Sequence, residues 1–354
     1  MKRNPLVTVL MAVYNGERFL RPTIESILAQ SFEDFEFLIV DDGSTDGTID
    51  VIRSYKDPRI RLLINEENKG QTKSLNIGLW SASGKYIART DAGDVSLPER
   101  LVKQVKYVHR NPEVSVLGTS AFRYNSYGKI IDIVHMPTSP QEMLQRAFFA
   151  SPVIHVSVLM KREIVLDFGG YDDQFPIFAD YELWSKLLKN GYRIRNIKQI
   201  LVGYMVSPDS LGYKNPFGGS YREACKIIQS NVHRFANLSI SFEEAANIYK
   251  LFTLCMNKIS IEEVIKTECL FVKILKKINA PSKDINYFLM RTYASYVVKN
   301  IGKPKEKLKL KHSIASIFHK SSCIISPSRL RESFLRFCQS IIWRSKREPI
   351  KLKF

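Results

Sequence analysis

Residues 35–48 read FEFLIVDDGSTDGT, and this stretch decides the fold. Residues 35–40 form an apolar run interrupted only by Glu36, the composition of a strand covered on both faces. Asp41-Asp42-Gly43-Ser44 ends it, because Gly and short polar side chains favour turns. Residues 47–55 then suit a helix, with Ser44 or Thr45 as its cap and Asp46 near its positive end. A buried strand, an acidic turn and a helix make half of a βαβ unit.

The same grammar runs outward in both directions. Upstream, residues 6–13 (LVTVLMAV) are a second continuous apolar run, closed by Asn15-Gly16. Residues 19–30 follow with helical spacing through Leu20, Ile24, Ile27 and Leu28. Downstream come a strand at 60–64, a helix at 72–82 and a strand at 85–89. Strands alternating with helices at this pitch predict an α/β domain with a mainly parallel sheet flanked by helices. Ligands of such sheets bind beyond the carboxyl ends of the strands, and Asp41-Asp42 and Asp91…Asp94 both fall there.

Residues 98–110 form a further helix with Pro98 in its first turn. Strands are expected at 115–124, 129–135 and 156–160, and a helix at 180–189 after the turn Gly169-Gly170-Tyr171-Asp172. Pro208, Gly212, Pro216, Gly218 and Gly219 make a linker-like stretch. The expected organisation is therefore an α/β domain over residues 1–215 and a smaller helical, basic region over 216–354.

The 354 residues are 45% hydrophobic, enough for a sizeable core, and carry a net charge of +18. Residues 303–354 hold 14 Lys/Arg against 3 Asp/Glu, so a net +11 sits in this tail. Such a tail suits a polyanionic partner: nucleic acid, an acidic membrane or a phosphorylated substrate. An RNA-binding aromatic motif and zinc-finger spacing are both missing, which argues against nucleic acid. The five cysteines, Cys225, Cys255, Cys269, Cys323 and Cys338, form no CxxC pair. An odd, scattered set fits a reducing compartment rather than a disulfide framework. Lys2 and Arg3 before the first apolar run imitate a signal peptide, but that run is short and no small-residue cleavage site follows. It reads as a buried strand, and the expected location is cytoplasmic.

Taken together, VTVLMAVYNG, VDDGSTDGT, NKGQTKSLNIGL, GKYIARTDAGDVSLPERL, GGYDDQF and ADYELW resemble glycosyltransferase family 2, with its GT-A fold, over about residues 5–205. Each piece alone is weak, and their shared order carries the resemblance. The resemblance implies an inverting glycosyltransferase that moves one sugar from a nucleotide diphosphate sugar. It assigns Asp41 and Asp42 to the nucleotide, with Asp42 favoured for the base; an ordinary capping turn is the alternative for this pair. Lys73 and Asn76, on the following helix, would face the nucleotide, a solvated helix face being the alternative for Lys73. Asp91 and Asp94 would hold Mn²⁺ or Mg²⁺ against the diphosphate, hard oxygen donors suiting both ions; a turn capping the Pro98 helix is the alternative. Gly93 departs from the family here, where relatives place an aspartate that ligates the metal, which leaves weaker metal dependence or a non-catalytic nucleotide-sugar-binding homologue as the rival readings. Asp180 corresponds to the family's general base, and His155 lies on the acceptor side. Arg100 ties its helix to the acidic loop.

Residues 330–341 recur at helical spacing between basic residues, which suits a helix lying on an anionic bilayer or one packed on the protein. The family resemblance extends this to a donor such as a UDP-hexose or UDP-N-acetylhexosamine. The matching acceptor is a saccharide on undecaprenyl diphosphate, used for O-antigen or capsule at the inner face of the cell membrane. Processive synthesis is argued against by the lack of spanning helices and of a QxxRW motif.

Overall fold

The structure, a computed structural model, describes residues 4–206, 219–252 and 261–280. β1 (Val7–Val13) is buried at every position. It pairs in parallel with β2 (Phe35–Asp41) from Val7↔Phe35 to Val13↔Asp41, and on its other side with β4 (Tyr86–Arg89). β3 (Ile60–Ile64) lies parallel to β2, with Ile64 opposite Asp41. These four strands are joined by α1 (Glu17–Leu28), α2 (Thr48–Ser54) and α3 (Gln71–Ser81).

Successive strand side chains point to opposite faces, so a run that is apolar at every position must be covered twice. Val7, Val9, Met11 and Val13 pack in one core with Leu20, Ile24, Leu101 and Val105. Those last two residues lie on α4 (Arg100–Arg110). Leu10 and Ala12 pack in the other core with Leu75, Leu79, Leu183 and Trp184. The second pair of those belongs to α7 (Ala179–Lys189).

The remaining strands are β5 (Val95–Ser96), β6 (Val114–Tyr124), β7 (Ile130–Val134), β8 (Leu159–Lys161) and β9 (Arg193–Met205). The sheet order is β3-β2-β1-β4-β8-β6-β9-β5, with β7 paired to β6. β8 runs antiparallel to both β4 and β6, while β9 is parallel to β6. The parallel half is the one the alternation of strands and helices predicts. Beyond β4 the sheet mixes directions.

Local differences have local causes. The strand expected at 156–160 starts late, because Ser157 and Val158 turn their N–H groups back to the carbonyls of Ile154 and His155. Neither Ser44 nor Thr45 caps α2, whose N-cap is Gly47. Ser44 Oγ instead accepts from the Asn15 N–H at 2.9 Å, and Asp46 Oδ1 accepts from the Thr48 N–H at 3.0 Å. α5 (Pro140–Ala147) was signalled by a capping box, with Ser139 and Glu142 closing it reciprocally. α6 (Arg162–Asp167) and β9 also had no place in the sequence reading. β9 breaks its apolar pattern with Arg195, Asn196, Lys198 and Gln199, and its register to β6 slips in the same region.

The chain divides into two compact units, one through Asn231 and one from Val232. The boundary expected near residue 215 lies outside the described residues, and α8 (Gly219–Ala236) contributes its residues through Asn231 to the first unit. In the second unit, α9 (Phe242–Phe252) carries a Ser241–Glu244 capping box and contacts α10 (Ile261–Lys277). Cys225 and Cys269 are free thiols. No helix among the described residues is long and apolar enough to cross a membrane. The basic tail and its 330–341 helix lie outside the described residues.

Candidate active site

Asp41 ends β2 and Asp42 follows it, and the two neighbours do different work. The Asp42 carboxylate is 2% exposed and surrounded by donors. Its Oδ1 accepts from Asn65 Nδ2, the Lys69 N–H and Ser74 Oγ, at 2.9, 2.9 and 2.7 Å, and its Oδ2 accepts from the Gly70 N–H at 2.9 Å. Asp42 Oδ1 is thus filled by three donors, and the carboxylate holds the segment 65–74, while Oδ2 takes a single bond and keeps acceptor capacity. Asp41 Oδ1 accepts from the Ser44 N–H at 3.0 Å, whereas its Oδ2 is buried without a partner. Beside it, β1 ends into Tyr14, a ring 48% exposed that the sequence reading passed over. A large aromatic exposed at a strand end is the signal that marked it.

The anchored segment feeds α3. Gln71 Nε2 donates to Asp91 Oδ1 at 3.0 Å, bringing the start of α3 against the second acidic cluster. Lys73, one turn in, is exposed. Asn76 does not face a nucleotide. Its carboxamide is spent on both backbone groups of Tyr171, at 2.8 Å each.

Asp91 Oδ1 also accepts from Arg89 Nη2 at 2.5 Å, with the Asp91 side chain 30% exposed and Arg89 fully buried. Asp91 Oδ2 takes no hydrogen bond among the described residues. Asp94 is buried and accepts from the Met205 N–H at 3.1 Å. Burial and the neighbouring Asp91 charge push the Asp94 carboxyl well above the usual carboxylate range. The Asp91 charge thus disfavours ionisation of Asp94 within the same turn. Hard oxygen donors fit Mg²⁺ or Mn²⁺, which take one or two protein carboxylates and complete their shell with phosphate and water. Among the described residues, no group of three or more His, Cys, Asp or Glu side chains is placed to hold a metal. Gly93 has φ +92, and a Cβ there would meet Met205 Cε at 2.7 Å, so this turn is built for glycine.

Arg100 is buried and donates to Ser96 Oγ and to the carbonyls of Arg89 and Val158. It ties α4 to the end of β4 and to the strand just after the acidic turn, a supporting role. Burial lowers its pKa to about 9.

Asp180, in the first turn of α7, is half-buried, and its Oδ2 lies 3.5 Å from Ser151 Oγ. Burial raises its pKa to about 6, against the opposing pull of nearby hydrogen bonds and of the Arg89 charge. A carboxylate tuned toward neutrality suits proton abstraction. His155 Nε2 pairs with Tyr171 Oη at 2.8 Å, and burial and Arg89 hold the imidazole well below its ordinary pKa, hence neutral. Asp172 closes a turn by accepting from the Gln174 N–H. The missed residue is Arg89: its buried charge acts on Asp94, His155, Tyr171 and Asp180 as well as on Asp91. Asp91, Asp94 and Asp180 therefore all feel the Arg89 charge, most directly Asp91, which is ion-paired to it. The ARTD tetrad held the signal, since a charged residue inside an otherwise buried β4 is uncommon.

A parallel α/β half-sheet with acids at its strand ends, continued by a mixed-direction half, is the architecture of the GT-A fold. The Glycosyl transferase family 2 profile matches residues 8–168. The Bacillus subtilis protein EpsE, a glycosyltransferase by name, is 34% identical over 219 residues, covering 60% of this chain and 77% of its own. The chain belongs to glycosyl transferase family 2 and is a glycosyltransferase. The Escherichia coli protein WfaP, named UDP-Glc:alpha-D-GlcNAc-diphosphoundecaprenol beta-1,3-glucosyltransferase, is 28% identical over 261 residues, covering 71% of this chain and 93% of its own. The S. aureus TarS crystal structure in complex with UDP-GlcNAc superposes with a TM-score of 0.55 at 16% identity, over 83% of this chain and 87% of that one. This likeness carries the fold.

Proposed function

We propose that the protein moves one hexose or N-acetylhexosamine from a UDP-sugar to a saccharide carried on a lipid diphosphate, inverting the anomeric configuration. The observation that carries the reading is the pair of acids Asp91 and Asp94 in the turn after β4, at the carboxyl edge of the parallel strands where ligands of such sheets bind. WfaP, whose printed name includes a UDP-sugar donor and a diphosphoundecaprenol acceptor, supports both substrate classes.

In this reading Asp41 Oδ2 accepts from the uracil N–H while Tyr14 offers its ring to the base. Asp91 and Lys73 face the ribose and diphosphate. A divalent cation held by Asp91 and Asp94 would supply charge stabilisation for the departing diphosphate. Asp180 takes the proton of the acceptor hydroxyl as that oxygen attacks the anomeric carbon, and the bond to the diphosphate oxygen breaks on the opposite face. His155, neutral and fixed by Tyr171, lines the acceptor side. The basic tail faces an anionic bilayer at the cytoplasmic leaflet, where each basic residue near the surface contributes about 1 kcal/mol.

The test is nucleotide release from UDP-, GDP- and dTDP-sugars with synthetic lipid-diphosphate acceptors, with Mn²⁺ and with chelator. UDP release only with acceptor, abolished in Asp180→Asn with UDP affinity kept, is the expected result. Wild-type turnover in Asp180→Asn removes this residue from the mechanism.

A further inference from the structure

The first turn of α7 carries Asp180, yet its N-cap is Phe178, whose side chain accepts no hydrogen bond. The chain entering the helix is held instead by two helices distant in sequence. From α3, Thr72 Oγ1 donates to the Pro176 carbonyl at 3.3 Å. From α8, Glu223 Oε2 accepts from the N–H groups of Ile177 and Phe178, at 3.0 and 3.1 Å. Two turns further along α8, the wholly buried Asn231 donates through Nδ2 to the Ala147 carbonyl at 2.7 Å and to Ser185 Oγ at 2.9 Å. One helix thus grips α7 on both sides of Asp180. Glu223 is buried, and desolvating a carboxylate costs more than placing a serine or aspartate at the N-cap. A local cap fixes only the start of its own helix. Glu223 also fixes where that start lies relative to α8.

We propose that Glu223 is a positioning residue of the transfer reaction: by holding the backbone of Ile177 and Phe178, it sets where the Asp180 carboxylate meets the acceptor hydroxyl. The inference rests on the reading of Asp180 as the base. Asp180 follows Phe178 closely, so a shift of the Phe178 amide is passed on to it through the first helical turn. Proton abstraction needs hydrogen-bond reach, and a displacement of about 1 Å can cost about a hundredfold in rate. The family profile ends at residue 168, whereas Glu223 lies on a helix well beyond it. The machinery of transfer therefore extends into α8, whose residues through Asn231 belong to the first compact unit.

The experiment compares the full chain with Glu223→Ala, Glu223→Gln and Glu223→Asp. It measures kcat and the KM for UDP-sugar at saturating lipid-linked acceptor, and counts UDP sites by calorimetric titration. Glu223→Ala removes the acceptor of both N–H groups. Its kcat is expected to fall about tenfold to a hundredfold, while KM and the number of UDP sites stay within about twofold of wild type. Glu223→Gln keeps a carbonyl oxygen with two lone pairs at the same reach, so it should return kcat to within about threefold of wild type. Glu223→Asp keeps the charge but falls one methylene short, so it should stay nearer to the alanine variant. Wild-type kcat in Glu223→Ala overturns the proposal. So does a kcat loss matched by an equal loss of UDP sites, the mark of a merely structural residue. Should Glu223→Ala fail to fold by near-ultraviolet circular dichroism, the order of the other two decides, and an aspartate variant at least as active as the glutamine one overturns the proposal. Failure of the underlying reading looks different, since Asp180→Asn would then remain active.

Discussion

Asn76 on α3 clasps the backbone of Tyr171 from both sides, Nδ2 donating to its carbonyl and Oδ1 accepting from its N–H, each at 2.8 Å. The pair is 95 residues apart in sequence and joins α3 to the turn that precedes α7. Gly170 permits the approach: its φ is +76, and a Cβ there would meet Asn76 Oδ1 at 2.4 Å. Tyr171 in turn holds His155.

Asn76→Ala leaves two buried backbone groups of Tyr171 unpaired. Each carries a desolvation penalty of about 1–3 kcal/mol. We expect the variant to lose about 2–4 kcal/mol of unfolding free energy, read by urea denaturation. A loss within error of zero would mean that water replaces the clasp.

The two acids at the end of β2 should separate cleanly. Asp42→Asn places an amide N–H₂ among four protein donors, so it should lower stability by about 3 kcal/mol and weaken UDP only through the loosened 65–74 segment. Asp41→Asn keeps an acceptor for the Ser44 N–H and replaces the unpartnered Oδ2, so its stability should hold or rise. Its UDP affinity should fall by about tenfold to a hundredfold. Thermal unfolding and calorimetric titration with UDP check both, and the reverse assignment would show that Asp42 reads the base.

How much of this was legible follows from where the information lies. Periodicity marks an element covered on two faces, and it located β1, β2 and α1 within about two residues. It is silent where a strand alternates charged and apolar residues and slips register, as β9 does between Thr119 and Ala121 of its partner. The strand-end acids were legible because a parallel α/β pattern fixes where its ligands bind. Which acid gathers the donors was not, since the donors to Asp42 come from residues 23 to 32 positions away. A single letter in a strand likewise does not disclose that the Arg89 guanidinium is fully buried and ion-paired to Asp91.

Asp180 makes stability and activity oppose each other. Its pKa is about 6 in the folded protein against an ordinary 3.8, so between these values the unfolded chain releases a proton that the folded chain keeps. Folding is therefore penalised progressively from pH 4 to pH 6 and by a constant amount above. Asp180→Asn escapes that penalty. At 1.36 kcal/mol per unit, discounted for partial exposure, the gain is about 1–2 kcal/mol above pH 6.5 and vanishes near pH 4. Parallel stability curves for mutant and wild type across this range would show that the carboxylate is not desolvated.

Gly93 gives the most direct contest between resemblance and geometry. The family places an aspartate here, which suggests that Gly93→Asp should raise activity by adding a ligand. The backbone argues otherwise. At φ +92 any L side chain is strained by about 1–2 kcal/mol, and the new Cβ meets Met205 Cε. Met205 Cε ends a flexible side chain and can turn aside, so the backbone strain, one residue before Asp94, is the larger cost. Gly93→Asp should therefore lower both the melting temperature and kcat, with or without added Mn²⁺. Met205→Ala in the same background removes the steric contact but leaves the φ strain, so it should recover only part of the loss. Full recovery, or a kcat above wild type, would show that the turn relaxes to accept the carboxylate and that glycine is not required by the backbone.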